Sequence, residues 1–260
     1  MIGYGFVSRL FIQKYHHHFN KIITTTRSSC FNEHSTQSLN FDLYTTTNQT
    51  FPTTDFCIIT IPFSRSLTNP FAYSDGIKEL IKQLPIKSYK KVIFTSSTSI
   101  YPIKNSYVNE TSELDTTDRA IALHNAEQAI MKSSRNSFIL RLSGICGHTR
   151  TSSPKLKQQI IENSNLPVNL IHVDDIIDAM NHLLTKPTSQ KNNIINVTSS
   201  EHPTRKEYYT YLCKLFNLPT PQFKESSQPF KKVSNRLLTD TYKFKLSHQS
   251  PLTFDFSYDT

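Results

Sequence analysis

Ser96, Ser97 and Thr98 are a run of small hydroxyls directly after Val92-Ile93-Phe94-Thr95, a stretch whose β-branched and aromatic residues read as a buried parallel strand. In an open α/β sheet, ligands bind beyond the carboxyl ends of the strands, so these hydroxyls are expected to face a cofactor or substrate. Tyr101 follows within the same short stretch. The residues alone fit a Ser/Thr-rich turn equally well. A second group stands at the start of the chain, where Gly3-Tyr4-Gly5-Phe6-Val7-Ser8 has the form G-x-G-x-x-S and opens an amphipathic helix running to about Tyr15. Glycine at the first two positions permits a tight turn and lets the backbone approach a pyrophosphate, while the helix N-terminus supplies N–H donors and positive dipole. The chain has only five glycines, so the placing of two of them here carries weight. Ser8 stands in the third position, small enough to pack helix against strand.

Those groups need a sheet to hold them. Lys21 to Arg27 reads as the second strand, ending about twenty residues after the glycine turn, where an acid would favour the ribose hydroxyls of NAD and an arginine the phosphate of NADP. Arg27, with no acid beside it, points to NADP, with NAD as the alternative. Asn40 to Leu43 is the expected third strand, Asp55 to Pro62 the fourth, and Tyr73 to Leu84 a helix with Ile77, Leu80, Ile81 and Leu84 on one face. Only Met1 and Ile2 precede Gly3, so the central first strand is cut short. Its loss would leave ladder groups unpaired, and the expectation is a start further upstream or a truncated, decaying copy.

Phe94-Thr95-Ser96-Ser97-Thr98-Ser99-Ile100-Tyr101 resembles the end of the fifth strand in the extended short-chain dehydrogenases, the NAD(P)-dependent epimerase/dehydratase superfamily. Within it, the sequence is similar to the YeeZ-like atypical group from the first residues to roughly the last twenty. The resemblance makes Ser97 the catalytic hydroxyl, places Asp42 at the adenine amino group, and makes Thr60 to Pro62 a lip over the cofactor ribose. The superfamily's Tyr-x-x-x-Lys pair belongs on the helix Asp118 to Ser133. With Glu127 as the glutamate closing that pattern, the Tyr position falls on Arg119 and the Lys position on Leu123. Leu123 carries no charge and Arg119 stays protonated, so neither performs the usual acid–base step. The YeeZ-like group lacks the pair too. Tyr101, Tyr107 and His124 are the substitutes considered for the proton, Tyr101 being carried forward with Ser97 as catalytic.

Ser137 to Gly147 resembles the family's R-L-x-G-I-x-G, after which the chain is expected to leave the sheet for a basic, polar lid, His148 to Asn165, with Arg150 as a candidate for an anionic substrate group. Val168 to Asp175 matches a stretch common in the superfamily. There Asp174 is expected to cap a helix from Ile176 to Leu184, and His172 either touches substrate or packs beneath the lid. Asn193 to Val197 is a return strand, and the likeness continues through His202-Pro203 and Lys231 to Leu237.

The expected architecture is a Rossmann-type α/β fold, a doubly wound and mostly parallel sheet with its first strand shortened. Residues 1–147 form the NAD(P)-binding part, and 148–260 a smaller substrate lobe whose strand near 193–197 rejoins the sheet. A chain of 260 residues with 37% hydrophobic content is long enough for a substantial core. No apolar run nears membrane-spanning length and no export signal opens the chain, so a soluble, cytoplasmic protein is expected. The four cysteines lie far apart, matching neither a zinc motif nor a disulfide framework. A net charge of +9 comes from scattered Lys and Arg without a nucleic-acid signature, which argues against nucleic acid and membrane as partners. His16-His17-His18 reads as an exposed helix-to-strand connection. The functional expectation is an NADP-dependent oxidoreductase of the epimerase/dehydratase type acting on an unidentified small molecule, with Gly3, Gly5, Ser8, Arg27, Asp42, Pro62 and Ser96 at the cofactor. A cofactor-binding sensor without catalysis and a degenerate remnant are the alternatives, and a homodimer is left open.

Overall fold

Short runs of β-branched and aromatic residues supply the strands here, and amphipathic helices cover them. The computed structural model describes residues 1–27, 36–46, 48–64, 66–134, 136–151, 160–185 and 193–256. These group into two compact units, one of Met1–Ile100, Leu114–Arg141 and Ile177–Ile195, the other of Tyr101–Glu113, Leu142–Ile176 and Asn196–Thr260.

In the first unit β1 (Ile22–Thr26) pairs in parallel with β2 (Thr36–Asn40), and β3 (Phe56–Ile59) pairs in parallel with β4 (Lys91–Ser97). The sheet continues from β4 to β6 (Ser137–Leu142) and then β10 (Asn193–Val197). Met1 and Ile2 stand in the place of the expected first strand. Ile2 bridges Ile59 in parallel, with Ile2 N donating to Ile58 O at 2.7 Å and Thr60 N to Ile2 O at 2.9 Å. On the other side Thr25 N donates to Met1 O at 3.0 Å and Tyr4 N to Thr25 O at 2.8 Å. Met1 and Ile2 therefore join β1 to β3 through these bonds.

Ile59, Val92, Ile93, Phe94, Phe138, Ile139 and Leu140 are all fully buried along these strands. Each such side chain contributes about 1.5–3 kcal/mol relative to exposure. Helix α1 (Phe6–Tyr15) buries Val7, Ser8, Phe11 and Ile12. Helices α2 (Phe71–Gln83) and α3 (Asp118–Ser133) pack on each other, and α3 buries Ala120, Ala122, Leu123, Ala126, Glu127 and Ile130. The third strand is Thr36–Asn40 rather than 40–43. Phe41 leaves the strand to be buried against Phe51, their rings 5.4 Å apart.

The second unit contains three parallel two-stranded pieces: β5 (Ser106–Val108) with β12 (Lys231–Val233), β7 (Gly144–Cys146) with β9 (Leu170–His172), and β8 (Ile160–Glu162) with β11 (Gln222–Lys224). Helix α4 (Val173–Thr185) starts three residues earlier than Ile176, so Asp174 and Asp175 lie in its first turn and Asp174 is not its cap. Helix α5 (Arg205–Leu215) opens on a capping box in which Glu207 N donates to Thr204 Oγ1 at 3.2 Å and Thr204 N to Glu207 Oε2 at 2.7 Å. Ile161, Tyr208, Tyr209, Leu212 and Cys213 form a core cluster beneath it. Among the described residues no helix is long and apolar enough to cross a membrane. Cys57, Cys146 and Cys213 are buried thiols, and burial pushes the Cys57 thiol up to about 11.

Candidate functional site

The glycine turn is built by hydroxyls from two strand ends. Gly3 sits at φ +94°, in the left-handed region, and its N–H donates to Thr25 Oγ1 at 2.8 Å at the end of β1. Ser8 Oγ and Thr60 Oγ1 both donate to Gly3 O at 2.7 Å. Ser8 is completely buried, so the third position of the motif is small because the helix lies against the strand there. A methyl group built at Gly3 would meet Ile61 Cγ1 at 3.0 Å and Ile61 N at 3.2 Å, whereas at Gly5 it would meet nothing within 4 Å. Packing therefore explains the glycine at 3. The open space at Gly5, at the head of an α-helix whose first N–H groups have no intrahelical acceptor, fits a phosphate-bearing ligand.

Arg27 and Asp42 come together at the ends of β1 and β2, Arg27 Nε standing 4.0 Å from Asp42 Oδ2 with the Arg27 side chain 78% exposed. Asp42 also holds the turn after it, accepting from Tyr44 N at 2.8 Å. Pro62 is exposed beyond β3. Tyr73, fully buried on α2, donates its hydroxyl to Ile61 O at 3.0 Å and so fixes the chain just before Pro62.

At the end of β4 the neighbouring serines differ in surroundings. Ser96 is buried and donates to Glu127 Oε1 at 2.6 Å. Glu127 is itself fully buried, its two oxygens receiving Arg141 Nε at 3.0 Å and Nη2 at 2.6 Å. Ser97 Oγ is half-buried and accepts from Ser99 N at 3.1 Å. Arg119 Nε donates to Ser99 Oγ at 3.2 Å, and its guanidinium lies 4.5 Å from the Phe63 ring centroid. Leu123 is 1% exposed, a core residue. His124 Nδ1 is 4.0 Å from Glu127 Oε2.

Tyr101 belongs to the second unit. It is 1% exposed and donates its hydroxyl to Asn196 Oδ1 at 2.8 Å, while Asn196 Nδ2 donates to Ser234 O at 3.2 Å and Asn196 N to Glu110 Oε1 at 2.8 Å. Tyr107 is 75% exposed. Arg150 is exposed, its backbone bridging Gly147, and residues 152–159 of the expected lid lie outside the described residues. His172 is buried against Gly147, where a methyl group would clash with its ring, and His148 Nε2 is 2.9 Å from Asp174 Oδ1.

Sequence reasoning singled out neither Thr25 nor Asp175. Thr25 shows a weak signal, a hydroxyl at a strand end. Asp175 is fully buried and receives Ser247 N at 2.7 Å and His248 N at 3.0 Å, partners that no local pattern reveals.

No family model matches the chain. Protein YeeZ of Escherichia coli K12 is 29% identical over 202 residues, which span 76% of this chain and 73% of that protein. A human epimerase family protein solved with NADPH superposes with a TM-score of 0.75 at 13% identity, covering 95% of this chain and 93% of that one. A short-chain dehydrogenase/reductase superfamily protein of Agrobacterium tumefaciens solved with NAD gives 0.76 at 13% identity, covering 95% and 92%. With its glycine turn, parallel sheet and hydroxyl-ended strand, the chain is a homologue of YeeZ built on the fold of the epimerases and short-chain dehydrogenases.

Proposed function

We propose that the chain binds a nicotinamide dinucleotide, NADP in preference to NAD, and acts as an oxidoreductase of the epimerase/dehydratase type on a small molecule. The observation that carries this is the Gly3–Gly5 turn, latched by Thr25, Ser8 and Thr60, with open space where a Gly5 side chain would stand. Gly3, Gly5 and Ser8 would shape the pyrophosphate cradle, and the exposed Arg27 would meet a ribose phosphate with the bidentate geometry suited to it. Asp42 would accept from the adenine amino group, and Pro62 would flank the remainder. Such a cofactor supplies hydride transfer when bound.

Ser97 would hold a reacting oxygen, a reading supported by Ser99 N, which donates to its Oγ and leaves its proton to donate. Ser96 is turned inward to Glu127, and its part is to fix the end of β4. We assign Tyr101 a positioning role through Asn196 rather than proton transfer. Arg119, held by Ser99 and Phe63, would stabilise negative charge on a substrate oxygen without giving up a proton.

A second reading, a cofactor-binding protein without turnover, is favoured by Arg119 and the buried Leu123 at the positions of the usual Tyr and Lys. The test is oxidation of NADPH across a panel of aldehydes, ketones and nucleotide sugars. Turnover that disappears in Ser97→Ala supports the oxidoreductase; cofactor binding with no turnover across the panel supports the second reading.

A further inference from the structure

We propose that the second unit holds a binding site for a small zwitterion carrying an ammonium and a carboxylate, an α-amino acid or a dipeptide, in the cavity beyond the ends of β5 and β12. The two strands run parallel and stop at Val108 and Val233, with Ser234 N donating to Val108 O at 2.8 Å. Beyond the carboxyl ends of parallel strands the backbone leaves the ladder and side chains can converge on a ligand. The cavity there has a volume of about 640 Å³, within the range of about 300–1,000 Å³ usual for small-molecule sites. Every residue lining it belongs to the second unit.

Asn235 supplies an unmet acceptor. It lines the cavity and is 8% exposed, and its Nδ2 is committed to Thr198 O at 3.0 Å and to Ser200 Oγ at 3.1 Å. Those two bonds fix which way the amide faces. Among the described residues its Oδ1 accepts no hydrogen bond, an unfavourable state for a carbonyl so nearly buried. A donor on a ligand would satisfy it. Ser200 Oγ, which accepts from Asn235, keeps its own proton to donate.

Arg236 and Asp240 supply the charges. They stand four positions apart at the helical turn Leu237–Thr241, where Tyr242 N donates to Leu237 O at 3.2 Å, the wide five-residue spacing that is frequent at functional sites. Both line the cavity, both are exposed, and among the described residues neither has an ion-pair partner. A carboxylate suits the planar Arg236 guanidinium, which can donate to both of its oxygens. An ammonium offers donors and no acceptor, which the Asp240 carboxylate and the Asn235 carbonyl complement. Glu110 also lines the cavity and accepts from Asn196 N at 2.8 Å, while burial lowers the pKa of His202 and keeps that ring neutral. Two acids against one arginine disfavour a polyphosphate and favour a ligand with a charge of each sign. Tyr107, also lining the cavity and 75% exposed, leaves an aromatic ring for the ligand's side chain, with Lys232 Nζ 5.7 Å from its centroid. The site is independent of the cofactor reading.

The test is isothermal calorimetry of the full chain with the common L-amino acids and a set of L-dipeptides, each alone. The N-acetyl and carboxamide derivatives of the tightest binder, each lacking one charge, are titrated beside it. The expected result is stoichiometric binding of at least one probe, weakened at least tenfold by Arg236→Ala, by Asp240→Asn and by either blocking group. Lys245→Ala, an exposed residue outside the cavity, should bind like the parent chain. Arg236→Ala and Asp240→Asn change exposed side chains, so circular dichroism should show both folded as the parent. Binding in this pattern by amino acids alone or by dipeptides alone supports the proposal and identifies which of the two the cavity takes. Absence of binding by every probe, less than tenfold weakening in either variant, or a blocked derivative binding like the free zwitterion overturns it.

Discussion

Replacing Gly3 and Gly5 by alanine, one at a time, separates fold from ligand at the same turn. At Gly3 the backbone lies at φ +94°, and the new methyl would stand 3.0 Å from Ile61 Cγ1 and 3.2 Å from Ile61 N. The left-handed conformation costs an L-residue about 1–2 kcal/mol, and overpacking adds about 1–3. The side-chain contact can relax, but the backbone contact relaxes less. Reduced freedom of the unfolded chain returns about 0.4–1 kcal/mol, leaving Gly3→Ala destabilised by roughly 2–4 kcal/mol. For a chain of this size that is a fall in Tm of roughly 5–15 °C.

Gly5 lies at φ −111°, ψ −163°, open to any residue, and its methyl would meet nothing within 4 Å. Alanine is a poorer N-cap than glycine, but the loss is offset by the same unfolded-state gain, so stability should stay within about 1 kcal/mol. The methyl would instead occupy the approach of a pyrophosphate, and NADPH affinity should fall at least tenfold, a factor worth about 1.4 kcal/mol. Thermal unfolding by circular dichroism and titration with NADPH read the two effects separately. The reasoning fails if Gly5→Ala binds NADPH like the parent chain, or if Gly3→Ala melts at the parent temperature.

Glu127→Ala strands the Arg141 guanidinium, 1% exposed, without its carboxylate, and should cost about 3–5 kcal/mol in urea unfolding, whereas Glu127→Leu with Arg141→Met should recover most of that loss. Cys57, with its thiol raised to about 11 by burial, should resist iodoacetamide at pH 8 in the folded protein, as should the buried Cys146 and Cys213, and all of them should label in denaturant; peptide mass spectrometry distinguishes these states.

The strands with continuous apolar runs, β3 and β4, were legible because burial on both faces demands such residues. Strand β2 was misplaced by four residues because Thr36–Asn40 contains one apolar side chain, Leu39, and has only Thr36 buried; pairing with β1, not its own pattern, makes it a strand. Helix α3 was read correctly from its periodicity, but the buried partner of Glu127 was not, since Arg141 comes from another element. The glycine turn was legible as a motif, Ser8 included, while the Thr25 and Thr60 hydroxyls that latch it come from 22 and 57 residues away. Asp175 and His248 are 73 residues apart and meet only through the tertiary fold. The resemblance implied a role for Ser97 and put Arg119 and Leu123 at the positions of the usual Tyr and Lys, but it carried no information on the inward turn of Ser96 toward Glu127.

The central claim is that the Gly3–Gly5 turn and Arg27 hold a phosphorylated nicotinamide dinucleotide. Isothermal titration of the purified chain with NADPH and with NADH, repeated on Arg27→Ala, tests it most directly. The account predicts that NADPH binds more tightly than NADH and that Arg27→Ala removes this preference while leaving NADH affinity nearly unchanged. Absence of binding by either dinucleotide, or a preference for NADPH that survives Arg27→Ala, would contradict it.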